Sequence, residues 1–209
     1  MGILDMDANT IKDILLMLPD GVLFGSLFVG LVTLSQQHII FFVTLLEGLF
    51  FLKGFQSIAS FMNGTTQANP DTCKSKFQGM TFANVRDQFN SDSISYGVYI
   101  LTLASSYFIN SNTVLKDELE VLDSSYITRS NVTMYLLVGL TLSYALFKVL
   151  IECDSFSSIS LAIVLGGLMG LFLVYQNVKL FDRNTVNFMG IPLLRNRTAD
   201  NKPIYICSQ

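Results

Sequence analysis

The sequence predicts an all-α, polytopic transmembrane helical bundle of four or five spans. Three observations predict it. Of the 209 residues, 51% are hydrophobic and only 14% are charged, whereas soluble domains are nearer a quarter charged. Mean hydropathy is +0.49. Apolar stretches close to the length of a bilayer crossing recur along the chain, separated by polar segments. A hydrocarbon core of about 30 Å needs roughly 20 apolar helical residues.

The N-terminal membrane region is assigned to residues 1–62. From Val22 to Leu52 the only charged residue is Glu47. As one helix those residues would measure about 46 Å, longer than the core. A break at Ser35–His38 instead yields two closely packed segments, about 14–35 and 38–62. A single long tilted helix is the alternative. Pro19 suits the first turn of a helix starting at "PDG". Asn9–Leu18 also reads as a short interfacial helix, with Ile11, Ile14, Leu15 and Leu18 on one face.

Residues 63–93 form a polar loop. Residues 94–176 form a three-span core with an extramembrane loop at 111–131. The first span, "ISYGVYILTLASSYFIN" (94–110), is short and rich in Ser and Tyr, so it should face other helices more than lipid. In the loop, Leu115, Leu119 and Leu122 share one face of a short amphipathic helix. The spans "VTMYLLVGLTLSYALFKVLI" (132–151) and "FSSISLAIVLGGLMGLFLVYQ" (156–176) are joined by the short "ECDS", which makes them an antiparallel pair. Ala162, Gly166 and Gly170 place small residues on one helical face, a pattern that lets helices approach closely. Packing within the chain is its expected use, and homo-oligomerisation the alternative. Residues 177–209 form an extramembrane tail ending "NKPIYICSQ", where alternation at Ile204 and Ile206 suits an extended strand.

Several function classes fall away. A net charge of −3 and a pI near 5.0 argue against a nucleic-acid partner. One histidine and three scattered cysteines make neither a His/Cys metal site nor a disulfide scaffold. No metal and no cofactor are expected. The acidic start "MGILDMDANTIKD" lacks the basic region of a cleaved signal peptide. No G-x-S-x-G, Walker A or H-E-x-x-H motif is present.

Glu47 remains. An ionisable residue within a span is a functional hypothesis by default. His38, Lys53 and Lys148 are its candidate partners, and Glu47, His38 and Lys148 make a candidate intramembrane polar site for proton relay or ion binding. The competing expectation is a helix–helix hydrogen bond, because no second acid lies within a span and relays need a chain of ionisable groups. The sequons at Asn63, Asn131 and Asn196 fall on both faces of this topology, and read as chance matches. Cys73 and Cys153 share one face. In an oxidising compartment they can form a disulfide; two unrelated thiols is the alternative. Basic residues lean towards a cytoplasmic tail, with Lys179, Arg183, Arg195, Arg197 and Lys202 in it.

Two resemblances add to this. The stretch "FKVLIECDSFSSISLAIVLGGLMG" (147–170) resembles a decayed form of one catalytic motif of the type-2 phosphatidic acid phosphatase superfamily, S-R-x5-H-x3-D. Phe147-Lys148 stands where Ser-Arg would be, Asp154 at the His position and Ser158 at the Asp position. Upstream, "SISYG" (93–97) loosely matches the family's P-S-G-H, keeping Ser95 and Gly97. Both histidines of that chemistry are absent, so the resemblance implies a helical membrane fold without catalysis. The stretches "PDGVLFGSLFVGLVTLSQ" (19–36), "CKSKFQGMTF" (73–82) and "QNVKLFDRNTVNFMGIPLLRNRTADNKPIYICSQ" (176–209) resemble small integral membrane proteins of large icosahedral DNA viruses of algae and protists. That resemblance implies a virion protein of the internal membrane, or of host membrane derived from the endoplasmic reticulum. Its tail would lie on the cytoplasmic or capsid side and link bilayer to capsid or to other membrane proteins.

The expectation is therefore a non-enzymatic structural or scaffold protein of a membrane. A lipid-phosphate-handling, phosphatase-like protein and a small channel or carrier are the alternatives.

Overall fold

The computed structural model describes residues 8–63, 89, 93–117, 119 and 124–188. Those residues form six α-helices: α1 (Ala8–Leu16), α2 (Leu18–Thr33), α3 (Gln36–Asn63), α4 (Tyr96–Val114), α5 (Ser124–Leu150) and α6 (Phe156–Leu180), followed by a 3-10 turn at Arg183–Val186. Three stretches are long and apolar enough to cross a membrane: Gln36–Ala59, Ile127–Leu150 and Phe156–Leu180. A fourth is reached if α1 and α2, bent by 56°, count as one broken span. The expected four or five therefore becomes three to four. The shortfall lies in α4, whose tyrosines, serines, threonines and asparagines dilute its apolar residues.

The chain does break between α2 and α3, and the single long helix is not formed. Leu34 takes the left-handed conformation (φ 50°), and its N–H and that of Ser35 both bond to the Gly30 carbonyl. That pairing satisfies a carbonyl left open at the helix end and turns the chain back. Gly30 is required there: a Cβ on it would lie 3.1 Å from the Ile39 backbone nitrogen. The α5–α6 turn uses the same device. Glu152 is left-handed (φ 54°), Glu152 N–H bonds to Val149 O, and Cys153 N–H bonds to Lys148 O, the pattern of a Schellman motif.

Helix directions follow from close contacts. A Cβ on Gly166 would lie 2.8 Å from Tyr99 O, and one on Gly170 2.6 Å from Leu103 O. The pairings rise together, so α4 and α6 run parallel. The Ala162–Gly166–Gly170 face is thus consumed within the chain, and Ser106 Oγ donates to Gly167 O at 2.8 Å along the same seam. Tyr99 Oη donates to Gly48 O, while Phe41 stacks near Tyr107. Those pairings run in opposite senses, so α3 is antiparallel to α4.

Helix α4 is the centre of the bundle. Residues 96–105, Tyr107 and Ser111 are buried. The partners around it carry the exposed apolar residues, such as Phe28, Val43 and Phe50 on α2 and α3, Tyr135 and Leu136 on α5, and Val164 and Leu168 on α6. Polar groups are set within an apolar core, and apolar side chains also cover the outside. That arrangement suits a solvent of lipid tails, where buried polar groups hold helices together.

Two segments depart from expectation. Helix α6 continues past the expected boundary at 177 to Leu180, and the chain then folds back. Phe188 packs edge-on to Phe41, Tyr107, Phe108 and His38. In α1 the residues turned inward are Asp13 and Leu16, while Ile11 and Ile14 are exposed, as an interfacial helix would present them. Leu115 and Leu119 are buried; Leu122, the Asn196 sequon and the anticipated strand at 203–207 lie outside the described residues.

Candidate functional site

Ser95, the residue before α4, occupies an N-cap position, yet its side chain makes no capping bond. Its hydroxyl instead donates to Asp154 Oδ2 at 2.6 Å. Asp154 sits in the turn between α5 and α6, and the same oxygen lies 3.0 Å from Lys148 Nζ. Lys148, in the last turn of α5, is 5% exposed. A cation there complements the negative end of the helix dipole. Ser155 caps α6 by accepting from Ser158 N–H at 3.1 Å. Ser158 itself is buried, and its hydroxyl has no hydrogen-bond partner among the described residues.

Beside this cluster, Tyr96 Oη donates to Asp20 Oδ1 at 2.8 Å, with Asp20 in the first turn of α2. Gly97 lies under the Tyr144 hydroxyl and Pro19, whose Cγ would be 3.1 Å from an added Cβ. One end of the bundle thus gathers the starts of α2, α4 and α6 and the end of α5. Cys153, buried in the connecting turn, is disulfide-bonded. The other half-cystine lies outside the described residues, as do Cys73 and Cys207.

Lys148, Asp154 and Ser95 thus meet, although they lie far apart in sequence. The intramembrane trio does not. Glu47 accepts a hydrogen bond from Gln176 Nε2 at 2.7 Å, whereas its candidate partners were His38, Lys53 and Lys148. His38 opens α3 nine residues earlier, about 13 Å along the axis; its Nδ1 is 2.8 Å from Ser35 Oγ, and its ring meets Phe188. Lys53 lies over the Phe89 ring, 5.5 Å from its centroid. Lys148 belongs to the Asp154 cluster.

Next to the Glu47–Gln176 bond is a second polar node that the sequence reading missed. Asn177 Nδ2 donates to Thr44 Oγ1 at 2.7 Å and to Tyr107 Oη at 2.8 Å, and all three residues are buried. It ties α3, α4 and α6 together. The signal was available: a Gln-Asn pair closing an otherwise apolar helix. It was hidden because residue 177 was placed outside the membrane. Ser105 and Thr141 hydroxyls, 2.8 Å apart, make a comparable link from α4 to α5.

Chemically, an ammonium and a hydroxyl converge on one carboxylate oxygen in the Lys148–Asp154–Ser95 unit. Such a unit couples three helix ends. Lys148 is buried and Asp154 only half-buried, so removing one member should cost less than the about 3–5 kcal/mol typical of a fully buried pair. No protein-family model, no curated protein and no solved structure gives a match to this chain.

Proposed function

We propose that this multi-span membrane protein is a non-enzymatic structural or scaffold component of its membrane. The observation that carries this reading is the engagement of the interior polar groups with one another: Glu47 with Gln176, Asn177 with Thr44 and Tyr107, Ser105 with Thr141, and Lys148 with Asp154 and Ser95. A carrier or a hydrolase needs such groups turned towards a ligand. Here they join helices. On this reading α4 also crosses the bilayer, shielded from lipid by its apolar neighbours, and the span count rises to five.

Placement in a virion's internal membrane, with the tail reaching a capsid, rests on the sequence resemblance alone. Detection of the protein in purified virions by mass spectrometry tests that placement.

A second reading, lipid-phosphate handling, is favoured by one observation. Lys148, Asp154 and Ser95, three of the positions matched to the phosphatase motifs, converge in space. Against it, the ammonium is already engaged by Asp154, and the single histidine, His38, lies at the start of α3 against Ser35 and Phe188, away from the cluster. Purified protein in liposomes separates the readings. The structural reading expects hydrolysis of phosphatidic acid and proton or cation flux at the level of protein-free vesicles. Turnover that disappears in Lys148→Ala, or flux that disappears in Glu47→Gln, would overturn it.

A further inference from the structure

Glu47 stands at the middle of the 24-residue apolar stretch Gln36–Ala59, yet it is only half-buried, as is Gln176. Its Oε1 accepts from Gln176 Nε2 at 2.7 Å. That bond leaves capacity on both side chains: the carboxyl's second oxygen, and the carboxamide's own oxygen and second N–H. Among the described residues neither side chain makes another hydrogen bond. The adjoining Thr44–Asn177–Tyr107 node fixes the depth of the pair. Tyr107 lies seven residues before Val114, the end of α4, or about 10 Å inside it. At that depth lipid tails offer neither donors nor acceptors, and polar capacity left open is costly.

The surface around the pair is apolar. On α3, Val43, Leu46 and Phe50 are exposed, and with Glu47 they follow the i, i+3, i+4, i+7 spacing of one helix face. On α6, Phe172 and Tyr175 are exposed and share a face with Gln176. The Glu47–Gln176 bond joins these two faces into one outward surface, apolar at its margins and polar at its centre. It is separate from the Ala162–Gly166–Gly170 face, against which α4 packs. Lipid suits the margins but not the centre. A basic helix would answer the carboxyl oxygen and leave the carboxamide N–H without an acceptor. The pair itself holds both a donor and an acceptor, so its best complement is another copy of itself. About a twofold axis each contact is made twice, with the roles exchanged.

We propose that the α3–α6 surface centred on Glu47 and Gln176 is the interface of a twofold homodimer within the membrane. The free N–H of Gln176 in each copy donates to the second carboxyl oxygen of Glu47 in the other, and Phe50, Phe172 and Tyr175 pack around the two bonds. Polar side chains join helices in the same way across membrane interfaces generally. The inference goes beyond the scaffold reading and does not rest on it, since a carrier could pair through the same surface.

The test counts subunits in the full-length protein, carrying one fluorescent tag and reconstituted in liposomes at a low protein-to-lipid ratio. Single particles should bleach in two steps. Glu47→Gln keeps an acceptor oxygen and should remain dimeric. Glu47→Leu combined with Gln176→Leu removes both polar groups and orphans neither, so it should fold and dissociate about ten- to a hundredfold more readily. A photo-crosslinking residue in place of Phe50 should yield a two-chain species, and one in place of Tyr135, equally exposed but on α5, should not. The cross-link is read with the polar pair intact, so it decides the matter even if the double variant does not fold. Single-step bleaching of the unaltered protein, or an undiminished dimer in the folded double variant, overturns the proposal. So does a cross-link from Tyr135 and none from Phe50, or one from Phe50 in native membranes that captures a different protein in place of a second copy.

Discussion

At the scale of single residues, the decisive fact is which atom each polar side chain already holds. Ser95 surrenders the capping bond its position invites and donates to Asp154 instead. The return is an ion pair with three members instead of two. If the role of that unit is structural, Lys148→Ala should destabilise the protein in detergent by about 1–3 kcal/mol, leaving the half-buried Asp154 carboxylate without its ammonium and still bonded to the Ser95 hydroxyl. Combining Lys148→Met with Asp154→Asn should recover most of the loss, since neither charge then remains. Thermal unfolding of the two variants checks this; equal loss in both would mean that the charges themselves are needed. Glu47 makes a milder case. Glu47→Gln keeps an acceptor for Gln176 Nε2, so it should unfold at the temperature of the unaltered protein. Glu47→Leu forfeits the bond, worth about 0.6–1.7 kcal/mol within a membrane. Glu47→Lys replaces the acceptor with an ammonium, at a cost of roughly 3 kcal/mol near the bilayer centre, and should reduce the yield of inserted protein. A normal yield for Glu47→Lys would place residue 47 in water.

At the scale of elements, the parallel α4–α6 seam rests on closeness that only glycine permits. A Cβ on Gly170 would meet Leu103 O at 2.6 Å and the Ser106 Cβ at 2.7 Å, and neither backbone nor Cβ can swing aside. Gly167, on the same helix, has nothing within 4 Å of an added Cβ. Gly170→Ala should therefore force the helices apart and cost about 1–3 kcal/mol, as overpacking does. Gly167→Ala should be neutral or stabilising by up to about 1 kcal/mol through helix propensity. The ratio of folded to aggregated protein on size-exclusion chromatography, with melting temperatures, distinguishes the two. Equal behaviour would mean that the seam is looser than its geometry. The same contrast shows what a stripe of small residues, legible in the sequence, is used for within the chain: α4 packs against it.

At the scale of the whole molecule, the bundle is arranged so that a helix rich in Ser, Thr, Tyr and Asn is its most enclosed. Helix α4 buries Tyr99, Tyr107 and Ser111, and its neighbours show Phe50, Tyr135 and Phe156 to the outside. A helix of that composition should not partition into a bilayer alone, because Tyr99, Ser105, Ser106 and Tyr107 find partners on other helices. Tested singly in a host insertion reporter, the α4 segment should insert poorly and the α6 segment efficiently. Insertion of α4 should rise when α5 and α6 follow it in the same chain. Efficient insertion of α4 by itself would show that its partners are dispensable for crossing.

Length, apolarity and punctuation are local properties, and they were legible without a fold. The two apolar stretches ending near residues 151 and 176, the short turn between them, and a break near Ser35–His38, which falls at Leu34–Ser35, follow from hydropathy and from the bilayer's thickness. So did the expectation that the Ser- and Tyr-rich helix would face protein rather than lipid. Partnership was not local. Glu47 was matched by charge to His38, Lys53 and Lys148, but hydrogen-bonds to Gln176, 129 positions away, because helix packing, not opposite charge, decides which side chains share a depth. Asn177 escaped notice because a span was ended at the last apolar residue, while the helix runs on to Leu180 and folds Phe188 back onto α3 and α4. The sequence by itself determined that the chain is helical and made for a membrane. Only the tertiary structure decided that Lys148, Asp154 and Ser95 meet at one end, since their convergence depends on α4 and α6 running parallel in direct contact, with α5 bringing the chain back to the end where α4 starts.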